Sequence, residues 1–387
     1  MAFLRNRAVN WLNFHAGIRS LAEGMGGLFV LIYLLRAGFS IPASLCAMAL
    51  IVAGRFVIRP AVLPFARGLG LRPAIIAGNL VMAIEYPLLA RVHGVDESLL
   101  VYCLVAALGG TFYWTSQHAY YAAVGDSEHR GHQISAGMAL GTVVGIVAPL
   151  AGAWLLTAFG PTVAFGTVGA VQALAALPLF ALPQVTIPER APGALRESLP
   201  GLWLFMSDGW FAVSFQMLWQ IALFLSLGSN LAAYGGAMAL AALVGAVSGL
   251  FLGRHIDAGH WRHGVSIAFT VVSATLLTRA ASLTTPWLAV SANALGAVAL
   301  CLLVPVQMVP VYNLAKLSPC TLRFHIAAEG GWDVGCCAGC LTAAGLVGLG
   351  APLGAVMLLG FVGVTAMVLL LGRYYARLSA EGHSAAT

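Results

Sequence analysis

The chain is 387 residues long; 60% of them are apolar, only 8% are Asp, Glu, Lys or Arg, and the mean hydropathy is +0.91. Soluble domains carry about 25% charged residues, so this composition excludes a water-soluble globule, a disordered chain and a disulfide scaffold. The net charge of +6 comes from 19 basic residues, 18 of them Arg, against 13 acids. It points to charge sorting across a membrane and not to a nucleic-acid partner.

The apolar runs are continuous and about 20 residues long, the length of a spanning helix and roughly twice that of a barrel strand. They predict an all-α polytopic membrane protein with helices near 10–36, 41–63, 73–92, 98–123, 134–158, 162–183, 200–228, 231–252, 264–284, 287–313, 331–350 and 353–373. The start, Met1 to Arg7, has no small-residue cleavage site, so the first run reads as a retained helix. A polar stretch, 184–199, separates a bundle over 1–183 from a second over 200–387 that ends in a short tail. With the N-terminus cytoplasmic, 13 basic residues, from Arg5 and Arg7 to Arg373 and Arg377, fall at cytoplasmic ends; Arg36, Arg91 and Arg279 fall outside. The bias predicts a multi-pass protein of the cell's inner or plasma membrane, both termini and the middle linker cytoplasmic.

The two halves echo each other at an offset of about 190. Gly38 after the first helix matches Gly228 after the seventh, Arg72 matches Arg262, and Gly160-Pro161 matches Ala351-Pro352. After the eighth helix stand Gly253, Asp257 and Arg262; after the second, Leu63, Arg67, Gly70 and Arg72. These positions and the six-plus-six layout resemble the major facilitator superfamily over almost the whole chain. The resemblance implies two pseudo-symmetric six-helix bundles that rock about a midplane solute site, with Arg72, Asp257 and Arg262 among the gating residues. Gly141, Gly145, Ala148, Pro149 and Gly152 on helix five fit close packing by small residues.

Charge inside a span is costly unless it is paired or faces water, so each such residue is a functional candidate. His15, Arg19 and Glu23 share one face of helix one; Arg55 and Arg59 lie on helix two, Glu85 on helix three. A desolvated carboxyl holds its proton more readily, which makes Glu23, Glu85 and Asp208, with His118 as a relay, the proton-coupling candidates. Three buried arginines against Glu23 and Glu85 leave a positive excess that an anionic solute would offset, since Arg matches carboxylate or phosphate. Arg19 and Glu23 can also form a structural pair, alone or closed with Glu85 and Arg59. Tyr113, Trp114, Gln216 and Gln220 complete the binding candidates. Glu329 and Asp333 are read as opening helix eleven, where acids complement the helix dipole and, with Arg254 or Arg262, form an inner gate.

Asp333, Cys336, Cys337 and Cys340 share a face, but no His joins them, so no metal is assigned. The seven cysteines read as reduced packing residues. No phosphate-binding loop, zinc motif or nucleophile elbow is present, so neither an enzyme nor a cofactor is expected. The sequence reads as a secondary active transporter, a monomer moving a small organic solute, preferably anionic, by alternating access with protons. The alternatives are efflux of amphipathic compounds and, in another class, a membrane receptor or membrane-embedded enzyme.

Overall fold

The computed structural model describes residues 6–125, 130–256 and 261–384, without the side chains of 130–143, 250–256, 261–263 and 377–384. Hydrocarbon offers the backbone no hydrogen-bond partner, so spans this apolar must close their bonds internally as helices. Twelve occur among the described residues: α1 (Arg7–Arg36), α2 (Ile41–Leu69), α3 (Leu71–Leu89), α4 (Glu97–Val124), α5 (Arg130–Ala158), α6 (Gly160–Ala181), α7 (Leu199–Ser226), α8 (Leu231–Ile256), α9 (Trp261–Ala281), α10 (Pro286–Leu317), α11 (Thr321–Gly348) and α12 (Leu353–Ala376). Ends are fixed by side-chain caps. Asn6 accepts from Val9 N at 3.2 Å, Ser40 from Ala43 N at 3.2 Å, and Asp96 from Ser98 N at 2.9 Å. Between α2 and α3 the chain turns on Gly70 at φ +91°, a conformation that a side chain would strain.

The packing repeats with a shift of six helices. In the first half α1 packs on α5 and α6, α4 on α2 and α3, and α3 on α6; in the second α7 packs on α11 and α12, α10 on α8 and α9, and α9 on α12. The halves meet along α2–α11 and α5–α8, pairs that exchange under the same shift, with α4 also reaching α10 and α11. Small residues permit these approaches. A Cβ on Gly235 of α8 would come within 2.7 Å of Ala153 Cβ and 2.8 Å of Pro149 O on α5, and one on Gly152 would strike the Met25 carbonyl of α1. Gly145, Gly152 and Pro149 of α5 thus serve close packing, while Gly141 falls among the residues whose side chains are not described. Large apolar side chains such as Phe56, Ile84, Leu104, Leu150 and Trp154 face outward, as a lipid-facing belt requires.

Several helices are interrupted, the first of each half among them; α2 too is broken, by a 3₁₀ turn at Arg59–Ala61. In α1 a 3₁₀ turn at Gly27–Phe29 separates Arg7–Met25 from Val30–Arg36; in α7 a π turn at Val213–Leu218 separates Leu199–Ala212 from Trp219–Ser226.

Helix α11 departs most from the sequence reading. It begins at Thr321 and not near 331, so Glu329 and Asp333 lie inside the helix, Asp333 roughly 18 Å along it at 1.5 Å per residue. They cap no helix end. The stretch from Thr321 to Asp333 has low hydropathy because one of its faces is charged, and that face turns toward the first half, away from lipid. Arg279, read as an outer-end residue, is also buried.

Candidate functional site

At mid-depth the first half presents cations and the second half anions. Arg55 and Arg59 stand one turn apart on α2, and Glu329 and Asp333 one turn apart on α11. Arg55 Nη2 donates to Glu329 Oε2 at 3.1 Å, and its Nε lies 3.0 Å from Asp333 Oδ1 without the alignment of a hydrogen bond. Arg59 Nε donates to Asp333 Oδ2 at 3.0 Å; its Nη2 reaches the same oxygen and its Nη1 the hydroxyl of Thr115. Arg59 is 2% exposed and Asp333 fully buried. His118 of α4 places Nε2 3.5 Å from Glu329 Oε1, and its Nδ1 is 2.6 Å from the Tyr312 hydroxyl of α10. Its ring stacks between Trp114 and His325 at centroid distances of 5.6 Å. Every ion pair in this cluster crosses between the halves. At the C-terminal ends of α10 and α4, Lys316 Nζ donates to the Gly125 carbonyl at 2.5 Å.

A second cluster belongs to the first half alone. Arg19 Nη1 pairs with Glu23 Oε2 at 3.3 Å, and its guanidinium lies over Trp114 at 4.6 Å and over Tyr113 at 5.4 Å. Glu85 of α3 faces the same charges, with Glu23, Arg19 and Arg55 in electrostatic reach. The Glu23 side chain is 46% exposed although it sits roughly 24 Å along α1 among these inward-facing groups. A water-sized space therefore reaches it. The two clusters join through Trp114, which lies under Arg19 at 4.6 Å and stacks on His118 at 5.6 Å; beyond them Arg55 lies over Trp332 at 5.1 Å, and Trp332 Nε1 donates to Asp208 Oδ2 of α7 at 3.1 Å.

These positions revise several sequence expectations. Arg59 pairs with Asp333 across the interface and not with Glu85. Glu329 and Asp333 engage Arg55, Arg59 and His118; Asp257 and the side chains of Arg254 and Arg262 fall outside the described residues. The positive excess vanishes, because Glu329 and Asp333 join Glu23 and Glu85 and give four acids to the three arginines 19, 55 and 59. His15 is turned from the cleft, with Nδ1 2.6 Å from Ala175 O and Nε2 2.8 Å from the Tyr113 hydroxyl. Arg72 donates to Leu182 O at 3.0 Å and so ties α3 to the end of α6, inside one half. Gln216 is exposed on the π turn and Gln220 half-buried beyond it. Asp333, held by two arginines, is withdrawn from any metal set with the neighbouring cysteines. No group of three or more His, Cys, Asp or Glu that would hold a metal ion occurs among the described residues.

Thr115, Tyr312, His325 and Trp332 join the site without having been singled out from the sequence. The readable signal was the helical spacing of His325, Glu329, Trp332 and Asp333 had their stretch been taken as helix.

No protein-family model matches the chain, and no curated protein matches it in sequence. Solved structures do match in fold. A structure of the human organic anion transporter MFSD10 (TETRAN) superposes with a TM-score of 0.67 at 18% identity, covering 94% of this chain and 99% of that one. A structure of the major facilitator superfamily transporter FucP in the outward conformation gives 0.67 at 11% identity, over 95% and 98%.

Proposed function

From the major facilitator fold that this chain adopts, we propose that it is a secondary active transporter whose inter-half ion pairs couple a small organic anion to protons. The carrying observation is the lock itself: Arg55 and Arg59 of one half held by Glu329 and Asp333 of the other. Separating the halves strips two arginines and two acids of their partners at mid-membrane, where an unpaired charge costs several kcal/mol. Both faces need neutralising before they part. A solute carboxylate or phosphate fits the planar guanidinium groups on α2, and protons neutralise the acids on α11, with His118 beside Glu329 as the relay. Arg19, Trp114 and Tyr113 line the approach to the pairs, and Glu23 and Glu85 are further proton sites beside the space that reaches them. The similarity to an organic anion transporter agrees with this solute class, and the similarity to an outward-conformation structure agrees with pairs that close the cytoplasmic side. The membrane is the cell's inner or plasma membrane, with both termini cytoplasmic.

The test is uptake and efflux by the purified protein in proteoliposomes under an imposed pH gradient, with carboxylates, phosphates and amphipathic cations. Anion movement driven by the gradient, lost in Arg55→Gln and made independent of pH in Glu329→Gln, supports the mechanism. Transport of the amphipathic cations alone, unaffected by Arg55→Gln, would replace it with efflux of amphipathic compounds.

A further inference from the structure

The cysteines of α11 take no part in the lock, yet the fold gives them a partner that their sequence spacing did not reveal. Cys336 and Cys340 are one turn apart on α11 and both fully buried. The π turn of α7, with its extra residue per turn, carries Met217 to this pair, and Met217 Sδ lies 3.6 Å from Cys340 Sγ. Glycines bring the two helices together here. A Cβ on Gly339 would come within 3.0 Å of Val213 Cγ2, and one on Gly209 within 2.9 Å of Cys336 N.

We propose that Cys336, Cys340 and Met217 form a binding site for one soft monovalent metal ion, Cu(I), for which Ag(I) is a probe. Two thiols and a thioether with no hard oxygen ligand are the donor set that selects Cu(I). At a metal–sulfur distance near 2.3 Å, sulfurs 3.6 Å apart subtend about 103° at the metal, so Cys340 of α11 and Met217 of α7 already stand at the spacing of two ligands of one ion, with Cys336 one turn away on α11. The nearest carboxylate, Asp333, is held by Arg59 and Arg55 and stays out of the set. Each thiol that binds gives up its proton to solvent, and the ion then ties α11 to the π turn of α7. Half-buried Cys337 lies on the same helix and is the residue a test must separate from the site.

The experiment uses the full chain in nanodiscs with Cys46, Cys103, Cys301, Cys320 and Cys337 replaced by Ser, titrated anaerobically with Cu(I) against a chromogenic Cu(I) chelator, and in parallel with Ag(I). The site predicts one ion per chain, a thiolate-to-copper absorption band, a rise in unfolding temperature with Ag(I), and three sulfur scatterers by X-ray absorption. Met217→Leu weakens binding at least about tenfold, and Cys336→Ser with Cys340→Ser abolishes it. Should the five-fold variant fail to fold, the native chain is compared with its Cys336→Ser/Cys340→Ser variant, with the same stoichiometry expected as the difference. Equal binding by those two proteins, no effect of Met217→Leu, or tighter binding of Zn(II) than of Ag(I) overturns the assignment. None of these readouts depends on transport.

Discussion

Replacing Asp333 by Asn removes the anion on which both arginines of α2 converge. Arg59 then keeps Thr115 and at most a neutral amide oxygen, and Arg55 keeps Glu329 at 3.1 Å. Arg59 is 2% exposed, so its charge stays out of water with no acid paired to it. Leaving a buried charge without its partner costs about 3–5 kcal/mol, or roughly 10²- to 5 × 10³-fold in the equilibrium between the locked state and any state that lets Arg59 reach water. Opening of the halves and unfolding both qualify, so two readouts are needed. Spin labels at Leu69 on α2 and Leu317 on α10, both exposed, report the separation of the halves, and thermal unfolding in detergent reports the fold. The expected result is a population shift toward longer label distances with a lower unfolding temperature. Adding Arg59→Gln removes the orphaned charge, and the double variant should recover at least half of the loss. If the double variant loses the sum of the two single losses, or Asp333→Asn shifts neither distance nor temperature, the lock does not hold the halves together.

Three further outcomes follow from single contacts. His15→Ala orphans the Ala175 carbonyl and the Tyr113 hydroxyl and should destabilise by about 2–4 kcal/mol in thermal unfolding while leaving solute KM unchanged; a large KM change would return His15 to the solute path. Gly296→Ala places a methyl on the Arg279 guanidinium, whose Nη1 donates to Phe215 O of the π turn at 2.5 Å, and should cost about 1–3 kcal/mol, but under about 0.5 kcal/mol when Arg279 is already Met. Equal costs in both backgrounds would refute that contact. Asp96 caps α4 outside the membrane, where hydrogen bonds from the Ser98 hydroxyl and backbone hold its carboxyl below the ordinary range. That stabilisation is present above the unfolded-state pKa and is lost as pH falls through the folded one, so the stability gap between wild type and Asp96→Ala should close in acid. A gap that stays constant from pH 7 to below the carboxylate range would remove the charged cap from the account.

The fold was legible because lipid restricts the choices: twenty apolar residues in a row have one way to satisfy their backbone, and arginines choose a side. The same averaging hid the start of α11. Hydropathy summed over a window cannot tell a charged face turned inward from a polar loop, so residues 321–330 passed for connection. Partners were less legible than positions. Arg55, Arg59, Glu329 and Asp333 were all singled out as candidates, yet Arg55 and Glu329 stand 274 residues apart, and no local pattern encodes a pairing at that distance. Arg279 shows the reverse error. Near the end of an apolar run an arginine reads as lying at the surface, but here Gly296 leaves room for the guanidinium between helices, the π turn supplies the carbonyl and the ring of Phe215, and Trp219 just beyond the turn supplies a second ring.

The two faces of the lock are chemically unequal, and on the proposed mechanism that inequality sets the order of coupling. An arginine keeps its proton under any condition the protein meets, so the charge on α2 can be balanced only by an anion. A carboxyl can be neutralised in place, so the charge on α11 can be silenced by a proton with no ligand at all. Protonation of Glu329 and Asp333 alone would leave two bare guanidinium groups, and anion binding to the arginines alone would leave two bare carboxylates; each single event opens the lock onto an unpaired pair of charges. Only both together, a proton on each acid and two negative charges against the two arginines, produce two neutral faces able to part in a medium of low dielectric. Lysine at 55 and 59 tests this directly. An ammonium lacks the fork that holds a carboxylate in two places, and it can lose its proton when buried. Arg55→Lys with Arg59→Lys should therefore let the halves separate without solute, seen as uncoupled proton leak in proteoliposomes. A double-lysine protein that stays tight to protons until the anion is added would show that the strictness of coupling resides elsewhere than in the guanidinium groups.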